Sequence, residues 1–137
     1  MTSKSTVEQL NAFFRSEFPQ AKVSVEALGD GSASVRHSVG VGELRPGGTV
    51  SGPVMMATAD VALYAAILGS IGIVPLAVTT NLNINFLRKP AAGRDILGVC
   101  RLFKVGKTLA IGEVLLYSEG SDEPVAHATG TYAIPRG

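Results

Sequence analysis

A chain of 137 residues is long enough to bury a core without disulfide or metal staples and is read as one domain over 1–137. The formal charge of +1 gives no general attraction to nucleic acid or anionic membranes, and 46% hydrophobic against 17% charged residues excludes a disordered chain. The single cysteine, Cys100, excludes an internal disulfide and any paired-thiolate metal site, so no metal or cofactor is called for and the cytoplasm is the expected compartment.

The opening residues MTSKSTVEQLNAFF lack the apolar core of a secretory signal. Ser5-Thr6-Val7-Glu8 has the S-x-x-E form of a capping box, and Val7, Leu10, Phe14 and Phe18 recur at helical spacing until Pro19. This predicts a short amphipathic helix within residues 1–20. Residues 22–28 and 33–41 place Val or Ala at alternate positions on either side of Gly29-Asp30-Gly31, the pattern of a hairpin. Arg45-Pro46-Gly47-Gly48 is a loop that delivers Thr49-Val50-Ser51-Gly52 to the next element.

That element, predicted as a helix over 53–70, is the apolar centre of the chain. Pro53 suits a first helical position, and Ala, Met and Leu favour the helix that follows. Apolar side chains go round the whole cylinder, so the helix should be enclosed by other structure. Its one carboxylate, Asp60, is costly to bury uncompensated and is a candidate for chemistry. Residues 61–87 carry no charge and are long enough to cross a bilayer, but Gly69, Gly72 and Pro75 interrupt them and TTNLNINF alternates as a strand does, so no membrane span is expected.

Over 77–87 the alternation sets Val78, Thr80, Leu82, Ile84 and Phe86 on one dry side and Thr79, Asn81, Asn83 and Asn85 on a wet one. Residues 95–105, 109–118 and 125–134 follow as antiparallel strands joined by short turns. Within them Gly98, Ala110, Gly112, Ala126, Ala128 and Gly130 recur at even positions and would let a helix lie close to the sheet. The order predicts an α+β fold, a long helix wrapped by an antiparallel sheet.

That order, with V-S-G-P-x6-D from Val50 to Asp60 and the later TTNLNINFLRKP, resembles the hotdog-fold thioesterases of the phenylacetic-acid-degradation (PaaI-like) type from about Ala33 onward. The family pattern has V-H-G-G at the helix entry and an acidic residue nine positions after the His. Here Ser51 stands in the His position, Gly52 is the first Gly, Pro53 replaces the second and Asp60 is the acid. The resemblance implies hydrolysis of an acyl-CoA thioester at a site shared between two subunits of a homodimer, assembled further into a homotetramer. Gly52 would polarise the carbonyl through its backbone N–H at the helix N-terminus, while Asp60 would act as general base or as nucleophile. Thr79, with Thr80 beside it, matches a hydroxyl residue that in relatives reaches the partner subunit's site and places water. Ser51 can donate one hydrogen bond but has no charge to give near neutral pH.

The remaining polar residues divide by setting. Arg88 and Lys89 open a basic stretch that continues through Arg94, Arg101, Lys104 and Lys107; they would either form a solvated rim or receive the phosphates of coenzyme A. Too few aromatics accompany them for a nucleic-acid stacking platform. Met56 and Tyr64, with Met55 and Leu68, are candidates to line an acyl pocket. His37 and His127 read as surface or cross-strand residues, and Cys100 as packing. Besides thioester hydrolysis, two readings stay open: non-hydrolytic acyl-CoA binding, suggested by the missing His, and hydration or dehydration of an acyl thioester.

Overall fold

The computed structural model describes residues 4–135. Helix α1 (Val7–Glu17) precedes strands β1 (Val23–Gly29) and β2 (Ser32–His37), a 3-10 turn (Val41–Glu43) and the long helix α2 (Gly52–Ile71). Strands β3 (Val78–Phe86), β4 (Ile96–Val105), β5 (Leu109–Ser118) and β6 (Pro124–Ala133) complete the chain. Every neighbouring pair is antiparallel, in one six-stranded sheet of order β1-β2-β4-β5-β6-β3. With α2 packed across one face, this is the α+β hotdog architecture that the order of elements implied.

Small residues let α2 come close. A Cβ on Gly130 would lie 2.4 Å from Leu63 Cδ1, and one on Gly98 would lie 3.3 Å from Thr58 Cγ2. Ala126 and Ala128 are fully buried beside them, and Leu63, Ile67 and Leu68 of α2 are fully buried opposite. By length and composition α2 could cross a membrane, but 67% of its most apolar window is buried within the fold, so the sheet accounts for its hydropathy.

The structure differs from the sequence reading at four places. The capping box lies one residue later: Thr6 Oγ1 accepts from Gln9 N–H, and Gln9 Oε1 accepts from Thr6 N–H. Ser5 instead donates to Leu68 O and is buried, pinning α1 to the end of α2. β2 stops at His37 rather than 41, because Gly40 N–H turns to Glu43 Oε1 and begins the 3-10 turn. α2 runs from 52 to 71, one residue longer at each end than expected.

The fourth difference bears on function. β3 is an edge strand, paired among the described residues with β6 alone, and its supposedly dry side is divided: Leu82 and Ile84 pack against the core, while Val78 is 55% and Phe86 51% exposed. Its register slips by one residue between Thr79 and Asn81. The bulge breaks the two-residue alternation and turns Thr79 toward α2, off the wet face on which strict parity placed it.

Candidate active site

Asp60 sits on the second turn and a half of α2, facing the bulged start of β3 and the end of β6. Its Oδ1 accepts hydrogen bonds from Thr79 Oγ1 at 2.7 Å and from the Tyr132 hydroxyl at 2.7 Å. Thr79 and Tyr132 reach the same oxygen because they are direct cross-strand partners in the β3–β6 pair. Thr79 thus serves Asp60 of its own chain, where the resemblance had sent it to the partner's site. Thr80, the bulged neighbour, donates to Thr131 O instead.

The carboxylate opens on a cavity of about 410 Å³. Phe14, Phe18, Tyr64, Tyr132 and Ala77 form most of its apolar wall, with Asp60 and Thr79 among its few polar groups. The wall is an aromatic stack: the Tyr64 ring lies 6.0 Å from Phe14 at 11° and 5.8 Å from Tyr132 at 25°. Tyr64 donates its hydroxyl to Pro75 O, so it contributes an apolar face and no free donor. Burial raises the pKa of both phenols; for Tyr132 the shift is large, reinforced by the Asp60 charge and only partly offset by a hydrogen bond with Thr79. Both stay protonated throughout the physiological range.

Gly52 stands elsewhere. As the first residue of α2, its N–H has no intrahelical partner and points out of the positive end of the helix. It lines a second cavity of about 340 Å³ together with Thr49, Met55, Phe86, Arg88 and Lys89. Asp60 lies eight positions further along the helix, about 12 Å along the axis. Glycine suits this position, since a residue held in helical conformation before Pro53 would otherwise set its Cβ against the proline ring.

The other predicted residues distribute around these two centres. Ser51 is the N-cap of α2, extended at φ −72° and ψ 154°, and its side chain makes no capping bond. Arg88 and Lys89 share the Gly52 cavity; Arg88 donates to Pro124 O and pairs with Glu123 at 3.5 Å, leaving Lys89 the less committed cation. Met56 is 41% exposed and lines neither cavity. Cys100 is buried, its thiol pushed up to about 12 chiefly by that burial. Among the described residues no three His, Cys, Asp or Glu side chains gather as metal ligands do.

Both histidines bond to acids. His127 Nε2 meets Glu113 Oε1 at 2.9 Å across β5 and β6, the cross-strand setting expected of it. His37 is buried rather than superficial, its Nε2 2.5 Å from Glu43 Oε2. Glu43 O accepts Ser51 N–H, so this pair ties down the loop that leads to Gly52.

Sequence reasoning missed Tyr132, Phe14 and Phe18 as parts of the site. For Tyr132 a signal existed: Ala126, Ala128, Gly130 and Tyr132 are alternate residues of β6, and Tyr132 alone is large with a polar tip. The two phenylalanines gave none beyond helical spacing, because only the packing of α1 against Tyr64 makes them cavity wall.

Comparison with known proteins agrees with this architecture. The family model described as the thioesterase superfamily matches residues 47–125, which include Gly52, Asp60, Thr79, Arg88 and Lys89. A candidate thioesterase from Silicibacter sp., solved by crystallography, is 48% identical over 99% of this chain and 96% of its own, with a TM-score of 0.91. The phenylacetic acid degradation protein PaaI of Thermus thermophilus is 25% identical, covering 90% of this chain and 99% of that one, with a TM-score of 0.71. Zebrafish thioesterase superfamily member 2, at 24% identity over 96% and 100% of the two chains, shares the fold with a TM-score of 0.83. Comparison with curated protein sequences gives no match. A family match over more than half the chain, on a hotdog fold shared with a near-half-identical relative, establishes that this chain belongs to the thioesterase superfamily.

Proposed function

We propose that this thioesterase hydrolyses an acyl-CoA to the free acid and coenzyme A, with Asp60 as the reacting carboxylate. The observation that carries the reading is a carboxylate held by two donors on one oxygen at the wall of an apolar cavity of about 410 Å³. As general base, Asp60 takes a proton from water while the water oxygen bonds to the thioester carbon. The proton then passes to sulfur as the C–S bond breaks. As nucleophile, the carboxylate attacks the thioester carbon and breaks the C–S bond, the departing thiolate taking a proton from solvent; water then cleaves the acyl anhydride to the free acid and regenerates the Asp60 carboxylate. Either route builds negative charge on the carbonyl oxygen, which the Gly52 N–H and the α2 dipole would stabilise.

A reacting carbonyl needs its donor and its attacking group about 3 Å away. Gly52 and Asp60 of one chain, about 12 Å apart along α2, cannot meet that condition together. This supports a site completed by two protomers, Gly52 from one and Asp60 from the other. The exposed β3 edge, with apolar Val78, Phe86 and Leu87, suits continuous strand pairing in a homodimer, and pairs of dimers would give a homotetramer. Arg88 and Lys89 beside Gly52 would receive the phosphates of coenzyme A, and the aromatic cavity with Tyr64 would take the acyl group.

Incubation with a panel of acyl-CoA esters and detection of the released thiol tests the reaction. Ser51 in the family's His position favours one competing reading, non-hydrolytic binding of acyl-CoA. Saturable binding with no thiol release across the panel would establish that alternative and reject hydrolysis. Light scattering should give a multiple of the 14.2 kDa chain mass, and a compact monomer at micromolar concentration would reject the shared site.

A further inference from the structure

We propose that Tyr132 is a positioning residue for hydrolysis: with Thr79 it ties up Oδ1 of Asp60, so that Oδ2 is the oxygen presented to water or thioester. This inference rests on the reading of Asp60 as the reacting carboxylate. Both side-chain hydrogen bonds that Asp60 makes with described residues fall on Oδ1, from Tyr132 at 2.7 Å and Thr79 at 2.7 Å. The Tyr132 hydroxyl also lies 3.1 Å from the Asp60 carbonyl oxygen, so its single proton faces both acceptors of one residue. Two donors converging on one oxygen fix the rotation of the carboxylate and leave the other oxygen for chemistry.

The donor is itself held rigidly. Tyr132 is 3% exposed, and its ring stacks on Tyr64, which stacks in turn on Phe14 and bonds to Pro75 O. It stands on β6 directly opposite Thr79, so strand register sets the spacing of the two hydroxyls. Burial keeps the phenol protonated and therefore a donor at any working pH.

Tyr132→Phe keeps the stacked ring and removes only the hydroxyl. The measurements are kcat and KM on the best acyl-CoA of the panel, and thermal melting. With the hydroxyl gone, kcat should fall roughly ten- to a hundredfold through misplacement of the carboxylate, with KM held within about twofold. Thr79→Val should lower kcat in the same way, again with KM held. An unchanged kcat overturns the inference, and so does a fall in kcat matched by a rise in KM and a loss of melting temperature, since a merely structural role predicts that result. Asp60→Asn in the same assay separates the two readings. Wild-type turnover by that variant removes Asp60 from the reaction, whereas its inactivity beside an unaltered Tyr132→Phe removes Tyr132 alone.

Discussion

Asp60→Asn and Asp60→Ala should separate the chemistry of the carboxylate from its role in the fold. Asn keeps the size of Asp and a carbonyl oxygen that can accept from Thr79 and Tyr132, so both hydroxyls remain satisfied. What it loses is the negative charge and the capacity to take a proton. A positioned general base contributes roughly 10²–10⁴-fold, or about 3–5 kcal/mol of barrier, and kcat of the Asn variant should fall by that much. Ala removes the acceptor as well. The Tyr132 hydroxyl, on a side chain 3% exposed, then loses its shorter bond and keeps only the 3.1 Å contact with the Asp60 carbonyl. A buried donor left poorly satisfied costs about 1–3 kcal/mol, equivalent to a fall of roughly 3–10 °C in melting temperature for a chain of this size. The assay pairs thiol release with thermal melting on both variants. Asn should be inactive but as stable as wild type, and Ala inactive and less stable. Turnover by the Asn variant within threefold of wild type would refute the catalytic assignment, and equal melting of the two variants would refute the hydrogen-bond account.

At the helix entry, Gly52→Ala and Gly52→Pro place the same Cβ before Pro53 and near the half-exposed Phe86 ring, 3.3 Å away, but only Pro deletes the N–H. Ala should retain most activity while Pro loses roughly 10²–10³-fold in kcat; equal losses would remove the amide from the mechanism. Gly130→Val would drive its side chain into Leu63 Cδ1 and lower stability by about 1–3 kcal/mol in urea titration, and an unchanged midpoint would contradict the close approach of helix and sheet. In acid, two carboxylates should govern stability. Burial pushes Glu43 up, but Gly40 N–H, His37 and Lys22 together hold it below its ordinary 4.5; Val39 N–H and Arg36 hold Asp95 below 3.8 against burial. Because the folded values lie below the unfolded ones, their contribution is complete above about pH 4.5 and is lost as the pH falls through the depressed values. The wild-type urea midpoint should therefore decline below pH 4.5, and the decline should flatten in Glu43→Gln, Asp95→Asn; identical slopes would show that other groups are responsible.

Most of the architecture was legible along the chain because it depends on local patterns. An all-round apolar run with Pro53 near its start predicts a buried helix, and alternation with turn residues predicts the strands. The small residues on β4, β5 and β6 foretold a helix laid close against them. Asp60 stood out for a similar reason, as a lone charge in apolar sequence. Where local patterns competed, the reading slipped: Thr6 and Ser5 both have capping hydroxyls, and only the buried Leu68 carbonyl assigns Ser5 to another task. Gly40 and Gly42 likewise leave the chain free to end β2 early.

The site's partners were a different matter, because they lie far apart in sequence and meet through strand order. Asp60 and Tyr132 are separated by 72 positions, and nothing local states that β6 neighbours β3. The bulge at Thr80 is equally invisible, yet it decides which face Thr79 joins. Composition and periodicity determined that this chain buries a helix bearing one carboxylate inside an antiparallel sheet, since burial of apolar surface follows directly from residue pattern. Tertiary structure alone decided which hydroxyls hold that carboxylate and that Gly52 opens on a separate cavity, since both depend on register and helix length in space.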